Sequence, residues 1–221
     1  MSILSLFHGS NKIIALPGPG LGRKSKDFGE GFYCTADEEL AGEWAVSLNR
    51  SGFINQYEIE TEDLNILDLT SPEYSLLNWL CVVIEHREFR VAEANFARAV
   101  DFISENFHVQ TEGYDIIHGM RADDSYFSFI MSFLASEISY EQFKYAMNLG
   151  RSGEQYAIKT KNAFDRLIFA AHKPADRDIY YPRRKTRDDN ARIGLLAEVE
   201  IEPDGIYMLD ILKNGIDEKL L

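Results

Sequence analysis

Apolar residues alternate with polar ones in some stretches and recur every three to four positions in others, so the chain reads as strands interleaved with helices. Residues 4–8 alternate weakly and predict a short strand, and residues 28–34 an extended stretch. Pro17, Gly18, Pro19, Gly20 and Gly22 predict a loop between them. Residues 35–48 predict a helix: Ala36, Leu40, Ala41, Trp44, Ala45 and Leu48 share a face, and Thr35 with Glu38 forms a capping box. Phe53, Asn55, Tyr57 and Ile59 alternate through a strand at 52–60, and 66–69 predicts another. Pro72 opens a helical region, with helices over 74–89 and 93–107.

Residues 112–120 read as a buried strand and 125–134 as a short apolar helix. Ser139 and Gln142 form a second capping box, heading a helix that stops at Leu149 and Gly150. Residues 154–160 predict a strand and 163–171 a helix. The polar stretch 181–190 predicts a linker, and 193–201 with 206–212 predicts two strands joined around Pro203, Asp204 and Gly205. The pattern is α+β: a domain over 1–175 with a helical insertion at about 71–110, then a charged linker and β-hairpin extension over 176–221.

Composition narrows the function classes. With 221 residues, 45% of them hydrophobic, the chain can bury a core without covalent staples. The 23 basic and 36 acidic residues leave a charge of -13, which disfavours general nucleic-acid binding. Arg183, Arg184, Lys185 and Arg187 form a local basic cluster that suits a solvated linker or a contact to a nucleic acid or an acidic partner. Cys34 and Cys81 lie in no Cys-x-x-Cys or zinc spacing and suit a reducing cytoplasm. The first residues lack the pattern of a signal peptide, and the longest apolar run, 76–84, is interrupted by Asn78 and too short for a membrane span.

Three short stretches carry the candidate chemistry. The first is Phe7-His8-Gly9-Ser10, the second Gly29-Glu30-Gly31-Phe32-Tyr33, and the third Glu154-Gln155-Tyr156. His118 also precedes a glycine, but inside a buried strand it reads as structural, and Asp123 and Asp124 after Arg121 read as a solvated turn. In order and spacing the three stretches resemble the His-Tyr-Glu branch of the ADP-ribosyltransferases, the superfamily of diphtheria toxin and the poly(ADP-ribose) polymerases. The wording around them is similar, more closely still, to a bacterial family catalogued as domain of unknown function 3990. The resemblance spans roughly residues 4–171.

The resemblance implies a split two-sheet core and mono-ADP-ribosyl transfer from NAD, as co-substrate, to a protein or nucleic-acid acceptor, with no metal required. It implies a bacterial toxin–antitoxin or phage-defence setting, with an antitoxin as a further partner. His8 would bind the adenine-side ribose. Gly9, with Ser10 beside it, would hold the nicotinamide carboxamide, its missing Cβ admitting the ligand. Tyr33 would stack on the nicotinamide ring, and Trp44 matches the place of a second stacking aromatic or serves the core. Gln155 departs from the pattern, which has glutamate there. A carboxamide can orient a ribose hydroxyl but supplies no carboxylate charge. His8, Tyr33 and Gln155 are thus the implied catalytic set. A degenerate NAD- or ADP-ribose-binding module and an NAD glycohydrolase are the alternatives. Neighbours on a strand face opposite sides, so Glu154 is expected to point away from the site.

Overall fold

The computed structural model describes residues 2–20, 25–89, 94–122, 124–149, 153–201 and 205–215, with Asp124, Ser125 and residues 198–201 described by backbone alone. In chain order the elements are β1 (Ile3–Ser10), β2 (Phe32–Cys34), α1 (Glu38–Ala45), β3 (Gly52–Glu60), β4 (Ile66–Asp68), α2 (Leu76–His86), α3 (Ala94–Asn106) and β5 (Ile116–Met120). There follow α4 (Asp124–Leu134), α5 (Tyr140–Asn148), β6 (Glu154–Ile158), α6 (Lys161–Asp165), β7 (Leu167–Ala175), α7 (Arg177–Ile201) and α8 (Met208–Asn214).

The strands form two sheets. One is antiparallel in the order β1-β3-β7; the other runs β2-β6-β5-β4, with only the β4–β5 pair parallel. Phe7 and Thr35 exchange backbone hydrogen bonds of 2.7 and 2.9 Å, which ties β1 of the first sheet to the end of β2 in the second. Leu6, Tyr57, Ile59, Ile116 and Ile158 fill the space between the sheets. Helices α2 to α5 cover the other face of the second sheet around Trp79, Leu80, Ile130, Phe133 and Phe143. The short helix α1 lays Ala41, Ala45 and Val46 on Ile54 and Ala175 of the first sheet.

The class is α+β as the periodicity predicts, and so are the strand at 52–60, the helical region after Pro72 and the Ser139–Gln142 capping box at α5. Gly150, the expected helix stop, and Asp123 lie outside the described residues. Four expectations are corrected. The cap of α1 is Asp37, whose carboxylate accepts from the Glu39 and Leu40 amides; Thr35 is held extended by its ladder bonds to Phe7. Residues 163–171 are not one helix: α6 ends at Asp165, and β7 continues from Leu167 as the edge strand paired with β3. The charged stretch 181–190 is not a linker but part of α7, anchored to α1 by the Arg183–Glu39 and Arg187–Glu43 ion pairs. The expected C-terminal hairpin is the end of α7 plus α8. Ala191 and Leu195 are buried four residues apart, a helical spacing, and Met208 and Ile211 of α8 join the main core. Among the described residues no helix is long and apolar enough to cross a membrane.

Candidate functional site

Where β1 meets β2 and β6, the sheets leave a cavity of about 810 Å³, a size that suits a nucleotide-scale ligand. Its wall includes His8 and Gly9 from β1, Phe32 and Tyr33 from β2, Trp44 from α1 and Gln155 from β6. Five of the six residues singled out from the sequence therefore converge from four elements. Ser10 is not in the wall: its hydroxyl bonds the Lys12 carbonyl and accepts from Asn55 Nδ2 at 3.3 Å, shaping the loop after β1.

His8 Nδ1 lies 2.6 Å from the Tyr33 carbonyl oxygen. A carbonyl only accepts, so Nδ1 carries the proton and Nε2 is left with its lone pair. Burial pushes the imidazolium pKa down, partly offset by the Tyr33 carbonyl, so the ring is held neutral. Among the described residues Nε2 has no hydrogen-bond partner. It is an open acceptor on a residue of the cavity wall.

Tyr33 closes its own loop. Its hydroxyl donates to the Gly29 carbonyl at 2.7 Å and accepts from the Phe28 amide at 2.9 Å. Gly29 has φ +76°, the left-handed region that a side chain resists, and its amide bonds the Lys26 carbonyl at 2.9 Å in a tight turn. Gly31 serves a different purpose: a Cβ there would sit 3.1 Å from the Ile158 carbonyl oxygen of β6. The two glycines bend the chain and lay it against β6, and Tyr33 locks the bend.

Gly9 is explained by packing. A Cβ on it would lie 2.7 Å from the Ala45 amide nitrogen and 2.8 Å from Trp44 Cβ, and closer still to the Ala41 carbonyl oxygen. Helix α1 leans directly on the strand at this point, which corrects the expectation that the missing Cβ admits the ligand. Trp44 is half-buried, with the Arg121 guanidinium 5.0 Å from its ring centroid. Its indole Nε1 is buried without a hydrogen-bond partner among the described residues.

Gln155 is buried and Glu154 exposed on the opposite face of β6, as strand alternation predicts. Glu154 instead accepts from His118 at 3.0 Å, while His118 Nδ1 faces Asp68 at 2.9 Å and its ring stacks on Tyr156 at 4.1 Å. This cluster lies outside the cavity wall. The Gln155 amide nitrogen donates to Asp27 Oδ2 at 2.7 Å. Asp27 also accepts the Ala122 amide at 2.9 Å and pairs with Arg87 Nη2 at 2.7 Å.

Sequence reasoning assigned no place in the site to Asp27 or to the cations in the wall: Lys12, Lys26, Arg87, Arg121 and Arg184. Asp27 and Gln155 are 128 residues apart, so no local spacing signals their contact. Arg184 comes from α7, which the basic cluster marked only as a charge run. Against these five cations the wall holds, among the described residues, a single carboxylate, Asp27, itself paired with Arg87. In a chain of net charge -13, this concentration of positive charge favours a phosphate-bearing ligand. Outside the cavity, Cys81, Glu85 and His108 bring a thiol, a carboxylate and an imidazole within 4.8 Å of one another.

The fold and site define an α+β protein whose two sheets meet at an acceptor-lined, cation-rimmed cavity. The family described as protein of unknown function (DUF3990) matches residues 4–169, and the chain belongs to that family. No curated protein and no solved structure matches the chain. The matched segment ends within β7, so α7 and its Arg184 lie beyond it.

Proposed function

We propose that the protein is an NAD-dependent mono-ADP-ribosyltransferase of the ADP-ribosyltransferase superfamily, modifying a macromolecular acceptor. One observation carries this reading: His8, Tyr33 and Gln155, from three strands in two sheets, line one cavity together. The chemistry of the wall supports it. Neutral His8 offers Nε2, and Gln155 offers Oε1, as acceptors for ribose hydroxyls. The Tyr33 ring supplies a flat wall for nicotinamide. Arg121 and Arg184 suit the diphosphate.

In the reaction the bond between nicotinamide nitrogen and the ribose anomeric carbon breaks, and nicotinamide leaves with the bonding pair. The acceptor nucleophile attacks that carbon and loses its proton. Holding the ribose lowers the barrier by fixing the leaving geometry. A bacterial toxin–antitoxin or phage-defence role in the cytoplasm, with an antitoxin partner, accords with this activity.

A second reading has one observation in its favour: Asp27, the single wall carboxylate among the described residues, is engaged by Arg87, Gln155 and Ala122. An NAD- or ADP-ribose-binding module, or a glycohydrolase, would need no acceptor. Labelled NAD incubated with the protein and cell lysate, then digested separately with protease and nuclease, distinguishes them. Transfer leaves label on one digest-sensitive polymer, hydrolysis releases free ADP-ribose, and a binding module releases no nicotinamide. Gln155→Ala should lower transfer by about a hundredfold. An undiminished rate in the folded variant would contradict the assignment.

A further inference from the structure

We propose that Asp27 selects glutamine at position 155 and decides which atom of its amide faces the cavity. The inference rests on the transferase reading above and gives the sugar-orienting group its support. Asp27 is 3% exposed and Gln155 4%. Asp27 Oδ2 takes the Gln155 amide nitrogen at 2.7 Å and the Ala122 amide at 2.9 Å, and Arg87 lies 2.7 Å from Oδ1. An ionised carboxylate has acceptors only. The Gln155 NH2 therefore turns toward Asp27, and Oε1, which has no partner among the described residues, is left for the cavity. A site with this atom at its wall takes a ligand that brings hydroxyl donors, as a ribose does.

The same geometry accounts for the departure from the glutamate pattern. A glutamate at 155 would set a second carboxylate against Asp27 in place of the 2.7 Å N–H···O bond. Two carboxylates in buried contact do not both ionise. The negative charge thus stays on Asp27, one hydrogen bond from Gln155, where Arg87 balances it. Asp27 is a positioning residue, because it acts on the ligand through Gln155. It also joins the loop before β2, the end of α2, the segment after β5 and strand β6, so the orientation of Gln155 is set by several elements at once.

The test uses four full-length proteins: wild type, Asp27→Asn, Gln155→Glu and the double variant. Each is titrated with NAD by calorimetry, assayed for nicotinamide release and melted. Asp27→Asn keeps an oxygen on Arg87 by turning its NH2 to Gln155, whose amide reverses and shows a donor to the ligand, and the Ala122 N–H loses its acceptor, so this variant also melts lower than wild type. NAD affinity should fall about threefold to tenfold, because the ribose hydroxyl that donates to Oε1 must turn to accept from the NH2 instead. Gln155→Glu should fall by about the same factor and melt lower. In the double variant an amide donor meets a carboxylate and an acceptor faces the cavity again, so affinity should return to within about threefold of wild type. Nicotinamide release should fall with the affinities, in kcat as well as in KM for Asp27→Asn, because the reversed Gln155 amide no longer fixes the ribose for departure of nicotinamide, and the double variant should recover both. Additive losses in the double variant, or wild-type affinity in Gln155→Glu, would overturn the proposal. If wild type binds no NAD, the transferase reading fails instead. The pairing is then read from melting alone: Asp27→Asn must raise the melting temperature of Gln155→Glu, and a further drop rejects it.

Discussion

Gly9→Ala tests whether this glycine serves the packing of α1 or the approach of a ligand. The added methyl would lie 2.7 Å from the Ala45 nitrogen, 2.8 Å from Trp44 Cβ and nearer still to the Ala41 oxygen. Two of these atoms belong to helix backbone and have no rotamer to move. Helix α1 must retreat by roughly 1 Å to restore ordinary contact. Its underside is Ala41, Ala45 and Val46 against Ile54 and Ala175, side chains too small to follow the retreat. A gap of that size forfeits about a quarter to a half of the dispersion well at each contact, and overpacking of this kind costs about 1–3 kcal/mol. Replacing glycine in a strand returns roughly 0.5–1 kcal/mol of backbone entropy. The net loss is about 1 kcal/mol, or a melting temperature lower by about 2–4 °C for a chain of this size. Thermal melting by circular dichroism with parallel urea titration measures it. Gly18→Ala is the control, since a Cβ there meets nothing within 4 Å and should leave the melt unchanged. If Gly9→Ala melts with wild type, the packing argument is wrong; loss of NAD binding without loss of stability would then return Gly9 to the ligand.

Tyr33→Phe removes the hydroxyl that joins the Gly29 carbonyl and the Phe28 amide, and should cost about 1–3 kcal/mol in urea unfolding; unchanged stability would mean that other contacts hold the turn. Arg187→Ala leaves Glu43 buried without its 2.6 Å partner and should cost about 3 kcal/mol at neutral pH. Burial already raises the Glu43 pKa and Arg187 opposes it, so in the variant the folded state holds its proton more tightly than the unfolded one. The deficit should therefore shrink as pH falls, and a pH-independent deficit would refute this origin. For His8 the folded pKa is lowered from 6.5 by burial, so the unfolded state takes the proton first. Stability from this residue is complete above 6.5 and is lost as pH falls toward the lower folded value. His8→Asn, which keeps an N–H for the Tyr33 carbonyl, should lose less stability between pH 7.5 and pH 5 than wild type; parallel curves would place the titration elsewhere.

Local chemistry made much of the fold legible in the chain itself. Strand β3 alternates Phe53, Asn55, Tyr57 and Ile59, and period-two alternation needs no partner to be recognised. The Ser139–Gln142 capping box is likewise complete within four residues. His8, Gly9, Tyr33 and Gln155 stood out because short motifs kept their order. The opposite faces of Glu154 and Gln155 follow from the strand alone. What failed was decided at long range. Residues 163–171 read as a helix, yet β3 offers the segment from Leu167 onward a ladder, and that pairing prevails. The tail alternates like a strand, but Arg183 and Arg187 meet Glu39 and Glu43 across more than a hundred positions, and Ala191 and Leu195 reach the core only on a helix. Gly9 is required by a helix that the strand cannot know of, and Asp27 has its role because folding brings Arg87, Ala122 and Gln155 to one carboxylate. Periodicity and capping are properties of neighbouring residues and can be read in sequence. Close packing and buried charge pairing depend on which segments meet, which only the tertiary structure determines.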